Sequence, residues 1–234
     1  MKPKIIVTTS WDDGHILDLK LAELLARYNL PGTFYVAPED REFEESKRLT
    51  DKQILQLSRQ FEIGAHTLTH PRLPKVSDIS AAHEINDSKS VLEDIIGRPI
   101  TTFCYPGGAY TQTHVREVRD AGYTYARTIQ RYKFAIGNNR LTAPTSIHAY
   151  RHWLDLPRII QVAKLNPLST LEFFRNWDSL AIAVFDQTVA KGGVYHLWGH
   201  SWEIDAAGDW NRLERVMRHI AGRDNVSYLT NGAL

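Results

Sequence analysis

"KIIVTTSWDDGH", residues 4–15, runs five β-branched residues in succession (Ile5 to Thr9) into two adjacent aspartates and a glycine. Such a run reads as a strand buried on both faces, the kind found in parallel sheets. A buried strand that ends on Asp12 and Asp13 is electrostatically costly unless something pairs the two charges. The alternative, an ordinary surface turn, fits DDG taken alone. Side chains alternate along an extended strand, so Asp12 and Asp13 are expected to point in different directions and to divide their roles.

Further along, strand-like and helix-like stretches alternate. Leu17, Leu21, Leu24 and Leu25 have helical spacing before Pro31-Gly32, and GTFYVA (32–37) reads as a second strand. Thr50 with Gln53 forms a capping-box pattern for a helix through Leu57, and FEIGAH (61–66) reads as a third strand. A helix over about 77–96 stops at Gly97, followed by strand ITTFCY (100–105), a Pro-Gly-Gly turn, a helix to Ala121 and strand YTYAR (123–127). LTAPTSIHAY (141–150) is a weaker strand, and helices are expected over 156–165, 179–190 and 209–221. VYHLWGH (194–200) and NVSYLT (225–230) complete the strands. Seven or eight strands alternating with helices imply a parallel sheet with helices outside, and a barrel rather than an open sheet. Ligands of such folds sit at the carboxyl ends of the strands. There Asp12, Asp13, His66, Pro106, Gly107 and His200 fall.

The chain has 234 residues, 43% hydrophobic and 24% charged, with net charge +1. It reads as one globular domain over 1–234, with no charge-based case for nucleic acid or an anionic membrane surface. One cysteine, Cys104, excludes a disulfide within the chain. No opening signal stretch and no membrane-length apolar run stand out, so the expected location is cytoplasmic, or secreted after processing. Oligomeric state is unreadable.

His66 and His70 lie four apart in IGAHTLTHPRL. Pro71 biases His70 away from helical geometry, so either a tight loop brings the two imidazoles together or they are unrelated surface histidines. Asp13 favours the first reading. One carboxylate and two imidazoles at strand ends make a three-ligand set with an open position, the pattern of a catalytic zinc. Asp12 is then free to act as a base.

SWDDG, HTLTH, a Pro-Gly loop after a strand and a late strand ending in His together resemble the polysaccharide deacetylase family (the NodB-homology domain, carbohydrate esterase family 4). The resemblance implies a distorted (β/α)7 barrel, a divalent metal on Asp13, His66 and His70 (zinc, or cobalt or nickel), and Asp12 as general base. The family's third motif, R-x-P-Y, falls on Cys104-Tyr105-Pro106-Gly107, where its arginine and tyrosine are absent. Tyr105, Pro106 and Gly107 are the substrate and oxyanion candidates, the last through its backbone N–H. In the family the missing arginine orients the catalytic aspartate, and Arg151 is the candidate replacement, against the plain alternative of a surface arginine. His200 is the expected general acid, with His196 a core histidine bonded to backbone. Trp198 and Trp202 are candidates for stacking on sugar, Glu203 and Asp205 read as loop carboxylates, and Cys104 as a small buried hydrophobe.

The implied function is a metal-dependent hydrolase that deacetylates an N-acetylated sugar or oligosaccharide. The alternatives are an O-acetyl esterase or another amide hydrolase with the same metal site, a non-catalytic carbohydrate-binding domain, and a domain that metal merely stabilises.

Overall fold

The computed structural model describes residues 5–135 and 137–234. Strand β1 (Ile5–Trp11) is followed by α1 (Asp18–Arg27), β2 (Thr33–Val36), α2 (Asp51–Leu57), β3 (Glu62–Ala65), α3 (Asp78–Ile96), β4 (Thr102–Cys104), α4 (Gln112–Asp120) and β5 (Tyr125–Arg127). After a long irregular stretch come β6 (Ile147–His148), α5 (Leu156–Val162), α6 (Pro167–Arg175), α7 (Trp177–Lys191), β7 (Gly193–Gly199), α8 (Ser201–Ala206), α9 (Trp210–Ile220) and β8 (Val226–Tyr228). Lys4 of the expected first strand lies outside the described residues.

The strands pair in parallel in the order β5-β4-β3-β2-β1-β7-β6. β8 lies beside the first half of β1, and β2 beside its end. β5 is joined to the segment that leads into β6: Ala143 donates its N–H to Ala126 and accepts from Thr128, each at 2.8 Å, forming an isolated parallel bridge opposite Arg127. The sheet thus curls into a distorted barrel of seven strands, with β8 as an eighth at its base. β1 is central because its β-branched run is buried on both faces.

Helix boundaries follow local chemistry. The Thr50 N–H donates to Gln53 Oε1 at 2.8 Å at the start of α2, the Ser77 hydroxyl accepts from the Ser80 N–H in α3, and Gly97 ends α3 with φ 73°. Two helices were not foreseen. α6 opens on an Asn166 cap and Pro167, residues that read equally well as a loop. α8 begins one residue after β7, and its six residues are too few to show a helical period.

At the amino-terminal end of the barrel the last residues turn inward. Buried Asn231 accepts from the Tyr35 hydroxyl and donates to Thr8 Oγ1, both at 2.8 Å, and its N–H donates to Thr33 Oγ1 at 3.0 Å. Glu62 receives the Thr33 hydroxyl at 2.6 Å and the Gly232 N–H at 3.0 Å. With that end tied shut by hydrogen bonds, the barrel opens at the carboxyl ends of its strands.

Asn231→Leu would leave the Tyr35 hydroxyl and Thr8 without partners inside the barrel. Urea unfolding should show a loss of about 2–4 kcal/mol with an unchanged m-value.

Candidate functional site

β1 ends in a turn that defeats alternation. Asp13 takes φ 83° and Gly14 φ 74°, and a Cβ on Gly14 would stand 2.8 Å from Val36 Cγ1. The left-handed step at Asp13, rare for a non-glycine residue, turns its carboxylate into the same cavity as that of Asp12. The expected opposed orientations are therefore corrected: the division of roles comes from different partners. Asp12, Asp13, His66, His70, Gly107, Trp198, His200 and Trp202 line this one cavity, together with Glu42, Arg72, Ile129 and Tyr150.

His66 follows β3, and its Nδ1–H donates to the Cys104 carbonyl at 2.7 Å, leaving Nε2 free. HTLTH is a tight loop, as Pro71 suggested, with Thr67 and His70 both at φ 65°. Glu84 of α3 holds it, accepting from the N–H groups of Leu68 (2.9 Å) and Thr69 (2.8 Å) and from the Thr69 hydroxyl (2.6 Å). The imidazoles come to 4.8 Å between ring centroids. His66 Nε2 and His70 Nε2 lie 3.5 and 3.3 Å from Asp13 Oδ1, a buried atom with no hydrogen-bond partner among the described residues. Ligand atoms of a tetrahedral zinc with bonds of about 2.0–2.1 Å stand about 3.3–3.4 Å apart, so this trio fits a small divalent cation. A second grouping, Asp12, His66 and Cys104, fits poorly: burial pushes the Cys104 thiol up, and Asp12 already has a cation. Burial opposes ionisation of Asp13, but the close approach of His66 and the charges of His200, His66 and His70 outweigh it and hold the carboxyl well below its usual range.

That cation on Asp12 is Arg127, the last residue of β5. Its Nη2 contacts both Asp12 oxygens and donates to Cys104 Sγ at 2.9 Å. Arg127 is fully buried and pairs in register with Cys104. A guanidinium thus reaches Asp12 from the strand adjacent to the one where the resemblance places an arginine, and Arg151 is corrected: it is exposed and stacks over Phe174. Arg127 had one signal in the sequence, a charged residue closing an otherwise uncharged strand, YTYAR.

His200 lies at the junction of β7 and α8. Its Nδ1–H donates to Glu203 Oε2 at 2.5 Å, and its Nε2 is 3.9 Å from both Asp12 Oδ2 and Asp13 Oδ2. Burial disfavours the charged ring, but Glu203, Asp13 and Asp12 override it and push the pKa up to about 9. Glu203 is therefore no loop carboxylate but the partner of His200 in the first turn of α8. Asp205, in the same helix, accepts from the indole of Trp210 at 2.7 Å. α8 is anchored where the Ser201 hydroxyl donates to buried Asp18 at 2.6 Å.

The remaining expectations divide. Trp202 donates its indole N–H to Asp13 Oδ2 at 2.8 Å and meets Phe43 edge-on. Trp198 is buried with the Arg127 guanidinium 4.7 Å from its ring centre, so one face is covered. Tyr105 points away from the cavity: it is fully buried and donates to the Leu141 carbonyl at 3.0 Å. Pro106 is buried too, so only Gly107 of that trio borders the cavity, at φ 58° with Arg72 beside it. His196 is a core histidine: the Pro144 backbone faces its ring, and the Ser10 hydroxyl lies 2.8 Å from its Nε2.

Comparison with known proteins places these features in a family. The polysaccharide deacetylase family matches residues 1–126. YxkH of Bacillus subtilis (strain 168), named for the same family, is 22% identical over 126 residues, which cover 53% of this chain and 44% of that protein. The match thus spans less than half of that relative's length. A structure titled as a polysaccharide deacetylase of Mycobacterium smegmatis superposes with TM-score 0.68 at 16% identity, covering 98% of this chain and 88% of the other. A family 4 acetyl xylan esterase from Clostridium thermocellum, in complex with a cobalt ion, gives TM-score 0.60 at 16% identity over 96% and 87%. Streptococcus pyogenes deacetylase PplD, in complex with acetate, gives 0.55 at 23% identity over 58% and 62%. At these identities the structural likeness speaks for the fold.

Arg127→Met would strand a buried carboxylate and should lower stability by about 3–5 kcal/mol, whereas Arg151→Ala should stay within about 0.5 kcal/mol, both read by urea denaturation. A second expectation concerns metal-free protein. The His200 pKa is raised from 6.5 to about 9 on folding, so its contribution is fully present below pH 6.5 and is lost as pH rises through 9. Glu203→Gln should therefore cost on the order of 1–2 kcal/mol at pH 6 and almost nothing at pH 9.5, measured by denaturant unfolding in chelator.

Proposed function

The chain belongs to the polysaccharide deacetylase family, and from that premise we propose that it is a metal-dependent hydrolase removing acetyl groups from an N-acetylated sugar or oligosaccharide. The observation behind this reading is the trio of Asp13 Oδ1, His66 Nε2 and His70 Nε2 at 3.3 and 3.5 Å, with Asp12 and His200 on the same cavity. Asp13, His66 and His70 would hold a divalent cation, zinc or in its place cobalt or nickel, which would supply polarisation of a carbonyl and acidification of a water.

The chain's own groups do the rest. Asp12 accepts a proton from the attacking water, and Arg127 fixes its orientation. The Gly107 N–H donates to the acetyl oxygen as it gains charge. His200, kept protonated by Glu203, gives its Nε2 proton to the departing nitrogen as the C–N bond breaks, leaving acetate and a free amine. A proton donor kept charged past neutrality suits an amide, whose nitrogen leaves poorly unless protonated. The cavity's aromatic members, Tyr150, Trp198 and Trp202, give it the apolar surface a sugar ring needs.

The second reading, an O-acetyl esterase, is favoured by the altered third motif and by the likeness to the acetyl xylan esterase with its cobalt ion. The acetate in the PplD complex is compatible with either bond.

Asp13→Ala and His66→Ala should each abolish zinc retention on elemental analysis and lower acetate release at least about 10³-fold. A panel of N-acetyl oligosaccharides and O-acetylated xylan should show release from the first group. Release from xylan alone would favour the esterase, and unchanged activity and zinc content in both variants would refute the metal-dependent reading.

A further inference from the structure

His66 and His70 face the same Asp13 oxygen, yet their outer nitrogens differ. His66 Nδ1–H is fixed on a backbone carbonyl, whereas His70 Nδ1 is buried without a hydrogen-bond partner among the described residues. A histidine that binds metal through Nε2 needs its Nδ1 proton received, because that partner selects the tautomer and sets the ring. Two carboxylates lie near. Glu42 Oε1 is 3.3 Å away, but its side chain is 66% exposed. Asp40 Oδ2 is 3.9 Å away, its side chain is 0% exposed, and this oxygen too is without a partner.

Asp40 is prebuilt for the task. It follows β2 in YVAPED, and its other oxygen, Oδ1, accepts the Glu42 N–H at 2.7 Å, which leaves Oδ2 directed elsewhere. The same turn is tied to the HTLTH loop, since the Glu39 N–H donates to the Leu68 carbonyl at 2.9 Å. Two orphaned polar atoms, one a donor and one an acceptor, thus face each other in a buried place where each is costly alone. Glu42 would have to give up water and side-chain freedom to serve instead.

We propose that Asp40 is the positioning residue of the metal site: it accepts the Nδ1 proton of His70, holds that ring in its metal-binding tautomer and so sets the affinity for the cation. This rests on the metal-dependent reading above and adds to it a residue that does not touch the cation.

The test is zinc affinity of the whole chain, measured in competition with a chromophoric chelator. Asp40→Asn keeps shape and folding, but its oxygen stays on the Glu42 N–H and its NH2 confronts the His70 N–H, donor against donor. Asp40→Asn and Asp40→Ala should still bind one zinc per chain with Kd raised about 10–100-fold, and Glu42→Gln should change it less than about 3-fold. In the wild-type zinc form, the His70 Nδ1–H proton should appear downfield in the NMR spectrum and be lost or shifted in Asp40→Asn, a readout independent of the alanine variant's folding. Wild-type affinity in both Asp40 variants, or a larger loss in Glu42→Gln, would overturn the assignment while leaving the metal site standing. A wild-type chain that takes up no zinc would overturn both.

Discussion

Two adjacent carboxylates buried at the end of one strand must each find their own positive partner, and the rest of the site is arranged around that requirement. Desolvating one ion costs several kcal/mol and desolvating two like charges side by side costs more. Asp12 is matched by the guanidinium of Arg127. Asp13 is matched by two imidazoles, by His200 and by the indole N–H of Trp202. The partners come from β3, β5 and β7 and the loops that follow them, so the barrel must close before the charges can be paired. The residue opposite Ala143 in the bridge that completes the curl is the same Arg127 whose guanidinium lies on Asp12.

Much of this was legible in the sequence because it is written in local chemistry. Alternating strands and helices gave the barrel, capping residues and glycines set the helix ends, and DDG, HTLTH and the late histidine fell at strand ends as parallel sheets require. What escaped depends on contacts between distant segments. Arg127 is 115 positions from Asp12, and nothing near it marks which carboxylate it meets. Glu203 was hidden by α8, a helix too short to show periodicity, which puts positions 200 and 203 on one face. Tyr105 looked like a site residue by its place in a motif, but its hydroxyl reaches the Leu141 carbonyl on the far side.

The exchange of Cys104 and Arg127 has a simple geometric basis. The two residues are register partners at the ends of neighbouring parallel strands, with backbones about 4.8 Å apart. A long, always-charged side chain on either strand can reach the same carboxylate, and a small thiol on the other leaves room for it. The requirement is a guanidinium at Asp12, not an arginine at one sequence position. That is why a motif can lose its arginine while the electrostatics it served persist.

The loops that carry the candidate ligands allow no such freedom. Asp13, Thr67 and His70 all adopt left-handed backbone conformations, each costing on the order of 1–3 kcal/mol. Asp13 is turned directly toward the cavity, and the two left-handed steps of HTLTH bring His66 and His70 to it within five residues of chain. These conformations persist only where neighbours over-determine them: Gly14 against Val36, Glu84 on the Leu68 and Thr69 N–H groups, and the Asp40 turn joined to Leu68. Three of the eight left-handed non-glycine residues among the described residues thus lie at or beside the candidate ligands, whereas Asp12 has its N–H in a regular ladder bond to Gly199 at 3.1 Å and is matched by the charge of Arg127. A role set by backbone direction leaves a compact sequence signature such as HTLTH, and a role set by charge can be filled from any strand within reach.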